Sequence, residues 1–363
     1  MQEAYINPKL VVETSKLKEG SVTWRSPSNI AIIKYWGKHG VQLPKNPSIS
    51  FTLENAYTET KFEYSPKTGV DTGLQVEFLF EGKENEAFKA KIVKYLESIT
   101  NIFPFLKQLN LKISSKNSFP HSAGIASSAS SMSALALCLC SLEDDLFGTL
   151  NDDTEFRQKA SFISRLGSGS ACRSIYKGLA VWGEFGEVPN SSDLYAVPYM
   201  DNVHEVFKTF HDDILMISGG EKSVSSRAGH NLMEQNIYAD NRYQQARQRL
   251  HELLIALQSG DIDTFGRISE SEALTLHALM MTSSPPYILM KPNTLAAIEK
   301  IIAFRKENKT PLYFSLDAGP NLHLLYPDSV ANQCKNFIQS ELLQFCENQK
   351  WLEDKVGEGP IQI

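Results

Sequence analysis

The sequence predicts an α+β fold with largely antiparallel sheets and helices covering one face. Three observations carry this. Segments of β-branched, aromatic and alternating character cluster in the first half, and long stretches at helical spacing dominate the second. The repeated strand, helix, strand units that a wholly parallel sheet requires are missing. At 363 residues the chain exceeds the size at which one hydrophobic core stops growing, so two lobes are expected, residues 1–205 and 206–363.

Strands are expected at Asn29 to Tyr35, Ser48 to Leu53, Leu74 to Phe80 and Leu109 to Ile113. Phe88, Ile92, Tyr95 and Leu96 recur at helical spacing, which predicts an amphipathic helix from Glu86 to Ser98. The small residues of ASSASSMSALALCLC suit a buried helix packed closely on its neighbours. Asp153 or Thr154 can cap the next helix, whose apolar face carries Phe156, Ala160 and Ile163. A strand follows over Lys177 to Phe185, then a Pro, Asn and Ser turn at Val188 to Asp193. The chain crosses to its second lobe between Tyr199 and His211. There a strand is expected at Ile214 to Ser218 and helices over Ser226 to Gln258, Asp261 to Met280 and Thr294 to Lys306. Tyr313 to Asp317 and His323 to Tyr326 read as strands joined by AGPN, and a last helix spans Ser329 to Cys346.

Composition narrows the function. Thirty-six Lys and Arg against 42 Asp and Glu leave a charge of -6, which gives no electrostatic footprint for nucleic acid or an anionic membrane. Any anion must then be held by local cations. Five cysteines without a CxxC spacing suggest neither a disulfide framework nor a zinc site. The amino terminus lacks the pattern of a secretory signal, and no run of 18 apolar residues occurs, so a cytoplasmic protein is expected.

Five segments carry chemistry. In PHSAGIASSAS, Pro120 to Ser130, Gly124 permits an unusual turn and Ser127 and Ser128 open a helix. Free backbone N–H groups, the positive end of the helix dipole and two hydroxyls can cradle phosphate; the same residues also make an ordinary helix cap. In NIAIIKYWGKHG, Lys34 and Lys38 stand beside Tyr35 and Trp36 and share one side if the backbone stays extended. An edge strand with surface lysines reads the same way. GSGSACRS, Gly167 to Ser174, offers hydroxyls and Arg173, whose guanidinium suits carboxylate or phosphate; it is also a plausible helix-to-strand turn. EKSVSSRAG adds Lys222, Ser225, Ser226 and Arg227, though as a helix start it could be merely solvated. In LDAGPNLH, Asp317 ends an apolar strand, where it serves either turn chemistry or a catalytic base. Cations, hydroxyls, bendable backbone and one carboxylate are together the inventory for phosphoryl transfer.

NIAIIKYWGK, FPHSAGIASSAS, GSGSACRS, SVSSRAG and DAGPN, in this order, resemble the diphosphomevalonate decarboxylase family of the GHMP kinase superfamily over nearly the whole chain. GIASSAS marks only the superfamily, whereas KYWGK with GSGSACRS is specific to the decarboxylase branch. The resemblance implies a ribosomal protein S5 domain 2-like lobe carrying the ATP-phosphate loop, and a ferredoxin-like lobe carrying the catalytic Asp. It implies that ATP, accompanied by Mg2+, phosphorylates the 3-hydroxyl of mevalonate 5-diphosphate. Loss of phosphate and carbon dioxide then gives isopentenyl diphosphate, and a homodimer is implied.

Carried over residue by residue, the resemblance makes Asp317, Lys34 and Arg173 catalytic. Asp317 orients or deprotonates the hydroxyl, Lys34 lies near the reaction centre and Arg173 pairs with the substrate carboxylate. Asn29, Tyr35, Lys38, Ser168, Gly169, Ser170, Ser226 and Arg227 line the substrate, chiefly its diphosphate. Pro120, Gly124, Ser127, Ser128 and Lys222 form the ATP-phosphate side. The chain departs from the family's pattern in PSNIA, in Pro47 at a usual serine, and in Ser130 and Ser131. None of these removes a reactive group, but Pro47 bears on fine specificity. Close alternatives are a mevalonate 3-kinase or a mevalonate 5-phosphate decarboxylase. A metabolite sensor of the same fold is a different class, and the retained Asp317 argues against it.

Overall fold

Two sheets organise the chain, seen in a computed structural model that describes residues 5–68, 73–120, 125–220 and 226–363, with 14, 226 and 227 described by backbone alone. In order, the first sheet uses β1 (Gly20–Ile33), β4 (Ser48–Pro66), β5 (Gln75–Phe80), β6 (Lys83–Glu84), β7 (Leu109–Asn117), β8 (Leu179–Trp182), β9 (Ala196–Pro198) and β14 (Ile361–Gln362). A two-stranded hairpin, β2 (Lys38–His39) and β3 (Leu43–Pro44), follows β1. The second sheet has β10 (His211–Leu215), β11 (Tyr313–Ser315), β12 (Leu322–Tyr326) and β13 (Trp351–Leu352). Helices are α1 (Glu86–Ser98), α2 (Ser127–Phe147), α3 (Asp153–Gly167), α4 (Ser226–Asn231), α5 (Ala239–Ser259), α6 (Ile262–Met281), α7 (Pro292–Asn308) and α8 (Ala331–Phe337).

The first sheet runs β14-β1-β4-β7-β5-β6, and β8 joins the free half of β4, with β9 beside it. Among the described strands every pair in this sheet is antiparallel except β5 with β7. The strands β1 and β4 are far longer than the alternation suggests. Their register slips between Pro27 and Asn29, where Tyr57 gives way to Thr52, so residues between them bulge out. The Asp354 carboxylate fills that bulge, accepting N–H bonds from Glu54, Asn55 and Ala56, each at 2.8 Å.

The serines of α2 are explained by what they face. Ser133 meets Ser26 at 2.6 Å, Ser130 meets Thr58 at 2.6 Å, and Ser141 accepts from Trp24 Nε1 at 2.8 Å. Each pair satisfies a buried polar group that would otherwise cost about 1–3 kcal/mol. Around them Leu135, Leu137 and Leu139 enter a core with Phe62, Leu111 and Phe162. The cap of α3 is Asp152, one residue before the expected pair, accepting from Glu155 N at 2.9 Å.

Helices cover both faces of the second sheet rather than one. Ile214, Tyr313 and Leu325 join a core with Leu250 and Leu253 of α5, Phe265 and Ile268 of α6, and Ile30 and Phe51 of the first sheet. Their neighbours Leu215, Phe314 and Leu324 join Ile298, Ile301 and Phe337 of α7 and α8. Strands buried on both faces lose the polar half of their alternation, which hid their ends. Thus β10 begins at His211, three residues before the expected start.

Two predicted helices are interrupted. The stretch from Ser226 to Gln258 breaks between α4 and α5, where Asn236 accepts from Tyr238 N at 2.9 Å and donates to Leu279 O at 3.2 Å. The last helix shortens to α8, followed by a π turn at Ile338–Leu342 and a 3-10 turn at Leu343–Phe345.

Candidate active site

The second half of β1 is buried on both sides and delivers the chain into the cleft between the sheets. Its extended run stops at Ile33, so the expectation that Lys34 and Lys38 share one side of a strand does not hold. Gly37 turns the backbone with φ +103°, and a Cβ there would lie 2.3 Å from the Tyr243 hydroxyl. Lys34 points to the second lobe, and Lys38 lies in the hairpin, where Nζ donates to Gln42 Oε1 at 3.1 Å.

Lys34 is 2% exposed, and Nζ lies 3.0 Å from Asp317 Oδ1 and 2.9 Å from Ser315 Oγ. Asp317 is 26% exposed, so one end of this ion pair is sealed and the other opens to the cleft. The backbone of Lys34 is also held. Its N–H donates to Glu272 Oε2 at 2.8 Å, and its carbonyl accepts from Arg242 Nη2 at 3.1 Å and Asn46 Nδ2 at 3.0 Å. Glu272 carries Arg242 and Arg249 on the same carboxylate. Burial alone would raise this acid, but the two guanidiniums and the Lys34 N–H hold it below the ordinary carboxylate value.

GSGSACRS forms a buried 3-10 helix, Gly169–Ile175, rather than an open turn. Gly169 is required by close packing, because a Cβ would sit 2.9 Å from Trp182 and 3.0 Å from Tyr35. Arg173 is 2% exposed. Its Nε donates to Ser50 Oγ at 2.9 Å, Nη1 to Ser48 Oγ at 2.6 Å and Nη2 to Asn29 Oδ1 at 3.4 Å. It pairs with no carboxylate among the described residues. Burial pulls this guanidinium below its ordinary value, opposed in part by the charge on Asp317, yet an arginine stays protonated. A buried cation held by neutral oxygens and the Trp182 ring, with no carboxylate partner among the described residues, is suited to an anion.

Asn29 spends its amide on Ser170 O at 3.2 Å and Ser174 Oγ at 2.8 Å, so it fixes the Arg173 loop from below. Tyr35 packs against Trp182 and His230, and its buried hydroxyl has no partner among the described residues. Arg165 of α3, also buried, donates to Val41 O at 2.5 Å and Leu194 O at 2.7 Å, tying down the hairpin that bears Lys38. Pro47 is buried, and its carbonyl accepts from Asn46 Nδ2 at 2.8 Å, so it adjoins the support of Lys34.

On the phosphate side, α2 starts at Ser127 after Ala126, which adopts the left-handed conformation, and no side chain among the described residues caps its first amides. Pro120 and Ser128 are exposed and Ser127 is half-buried. Ser128 meets Ser168 at 3.3 Å, which joins the loop to the Arg173 segment. A helix start with two hydroxyls and the amides of its first turn, of which Ala129 N already donates to Ala126 O at 2.7 Å, fits a nucleotide polyphosphate. Gly124 and Lys222 lie outside the described residues, and so do the side chains of Ser226 and Arg227.

Sequence reasoning did not single out Glu272, Arg242, Arg249, Ser315, His277, Ser48 or Ser50. A signal exists for some. Glu272 falls on the apolar face of α6 with Phe265, Ile268 and Leu276, where a charge demands a partner. Ser48 and Ser50 alternate with Ile49 and Phe51 in the first six residues of β4, all of them buried.

Residues 26–195 match the diphosphomevalonate decarboxylase-like N-terminal domain, and residues 214–360 match the mevalonate 5-diphosphate decarboxylase C-terminal domain. A diphosphomevalonate decarboxylase of Ganoderma lucidum is 32% identical over 322 residues, covering 84% of this chain and 78% of the relative. Its counterpart from Schizosaccharomyces pombe is 29% identical, covering 94% and 86%. Among solved structures, mevalonate diphosphate decarboxylase from Staphylococcus aureus superposes with a TM-score of 0.80 at 30% identity, over 96% of this chain and 99% of that one. A complex of the protein called MDDEF with MVAPP, AMPPCP and magnesium gives 0.80 at 28% identity, over 95% and 99%.

Proposed function

The chain belongs to the diphosphomevalonate decarboxylase family, and from that premise we propose that it converts mevalonate 5-diphosphate into isopentenyl diphosphate with consumption of ATP. The observation that carries the assignment to this geometry is Arg173, a buried guanidinium bound by Ser48, Ser50 and Asn29 and facing no acid among the described residues. The substrate carboxylate is the anion it awaits.

In this reading Asp317 accepts or orients the proton of the 3-hydroxyl. Lys34, 3.0 Å away, pairs with that carboxylate and stabilises charge that develops on oxygen. When bound, ATP with Mg2+ supplies the phosphoryl group that turns a poor leaving group into a good one. Ser127, Ser128 and the first amides of α2 hold the polyphosphate, as an uncapped helix start does. Arg173 fixes the carboxylate beside the carbon that loses its oxygen, so the electrons released with carbon dioxide expel phosphate. Lys38, Ser168, Gly169, Ser170, Ser226 and Arg227 hold the diphosphate, with Tyr35 packed beside them. Lys222 and Gly124 complete the ATP side, and Pro120 borders it.

Purified protein with ATP, Mg2+ and mevalonate 5-diphosphate should release carbon dioxide and inorganic phosphate in equal amounts. ATP consumption without carbon dioxide would point instead to a 3-kinase. Running mevalonate 5-phosphate in parallel assigns the preference for one or two phosphates.

A further inference from the structure

One helix touches both members of the Lys34 and Asp317 pair. Glu272, 0% exposed on α6, accepts the Lys34 N–H at 2.8 Å. Five residues along the same helix, His277 is 1% exposed and its Nε2 lies 3.1 Å from the carbonyl oxygen of Asp317. A carbonyl only accepts, so Nε2 carries the hydrogen and donates. The two attachments are separated by about 7.5 Å along the helix axis, a spacing set by the rise per residue.

The attachment at Lys34 is doubled. Arg242 of α5 grips Glu272 with Nη1 to Oε1 at 2.8 Å and Nη2 to Oε2 at 2.5 Å, and the same Nη2 reaches the Lys34 carbonyl. Arg249 adds a third contact to Glu272 at 2.8 Å. Both polar groups of the Lys34 backbone are therefore fixed from the second lobe. Asp317 comes from the turn after β11, which by itself is short and rich in Gly and Pro.

We propose that α6 acts as a ruler for the reaction, with Glu272 and His277 as positioning residues that set how Asp317 meets Lys34 and the substrate hydroxyl. The inference rests on the reading of Lys34 and Asp317 given above. It places Glu272 and His277 outside contact with either substrate, so their loss acts on turnover rather than on binding. Displacing a reacting group by an ångström costs on the order of 10²-fold in rate, whereas ligands held elsewhere still bind.

The test is a series at His277. His277→Phe removes the donor while filling the space, and should lower kcat by about 10-fold to 100-fold with both KM values within about 3-fold of the parent. His277→Gln places an amide N–H toward the same carbonyl and should restore kcat to within about 3-fold. His277→Asn is too short to reach and should behave as the Phe variant does, which keeps the test intact if the Phe variant fails to fold. Parental kcat in His277→Phe or His277→Asn overturns the proposal. So does an equal loss in the Asn and Gln variants that follows their melting temperatures, since that is the signature of a merely structural histidine. Absence of carbon dioxide release by the parent protein is a separate outcome, and it overturns the assigned reaction instead.

Discussion

Two buried arginines within the same protein are treated in opposite ways. Arg242 is 3% exposed and its charge is met by Glu272, itself shared with Arg249 and the Lys34 N–H. Arg173 is 2% exposed; its guanidinium lies over the Trp182 ring and donates to two serine hydroxyls and an asparagine oxygen, with no ion-pair partner among the described residues. The first arrangement gives the buried guanidinium a buried carboxylate partner and serves to hold parts together. The second leaves a positive charge without an ion-pair partner among the described residues, at a desolvation cost, and the proposed function assigns that place to the substrate anion. Balanced burial marks architecture, and unbalanced burial marks the place where chemistry is to happen.

The difference is best sharpened where the two corners meet, at Asp317. Asp317→Asn keeps the shape but removes the base, and kcat should fall by about 10²-fold to 10⁴-fold while mevalonate 5-diphosphate still binds by calorimetry. Next in size, Arg173→Met should reduce kcat/KM by about 10²-fold to 10³-fold, the loss of one buried charged partner. Without substrate, the same variant should unfold in denaturant within about 1 kcal/mol of the parent, because a desolvated, uncompensated cation has been removed. A large loss of stability there would mean that Arg173 is structural after all.

Arg242→Met should behave in the reverse manner. It takes from the buried Glu272 carboxylate its two-pronged partner and leaves it Arg249 and the Lys34 N–H, and chemical denaturation should report a loss of about 3–5 kcal/mol. A stable Arg242→Met protein would break the distinction between the two corners.

The smallest effect concerns acids far from the cleft. Asp213 accepts from Tyr326 Oη and from Asp354 N, and burial raises it from the ordinary 3.8 to about 7. The folded state thus binds this proton more tightly than the unfolded chain. Its stabilising contribution is full below pH 3.8 and is lost as pH rises through about 7. The melting temperature should decline by a few degrees between pH 5 and 8, and Asp213→Asn should flatten that slope. Asp354, raised to about 6, has the same sign and accounts for what slope remains.

Much of this was legible in the sequence, for identifiable reasons. The helix at Glu86–Ser98 was readable to the residue because it lies on the surface with one buried stripe and an Asn85 cap. Lys34 and Asp317 stood out as charges in or at the end of apolar runs, and Arg173 as the one guanidinium in a small-residue, hydroxyl-bearing segment. What escaped was long-range. Glu272 lies 238 positions from Lys34, and Arg173 lies 123 from Ser50, and no local pattern encodes such a meeting. The break at Asn236 escaped for a similar reason, since its amide is drawn away by Leu279 of another helix. The length of β1 and β4 was hidden by their bulge, which repeats no period of two.

The late strand β14 gives the molecule an awkward birth. It pairs with Trp24 and Arg25 of β1, and just before it Gly357 bonds to Thr52 and Gly178. A ribosome delivers β1 first and reaches Ile361 only after 336 further residues, roughly 15–70 s later at ordinary rates of synthesis. During that interval one edge of the nascent first sheet stands open, the condition in which strands recruit wrong neighbours. Completion of the early half therefore waits until Ile361 and Gln362 have been made, and the two sheets mature together rather than lobe by lobe.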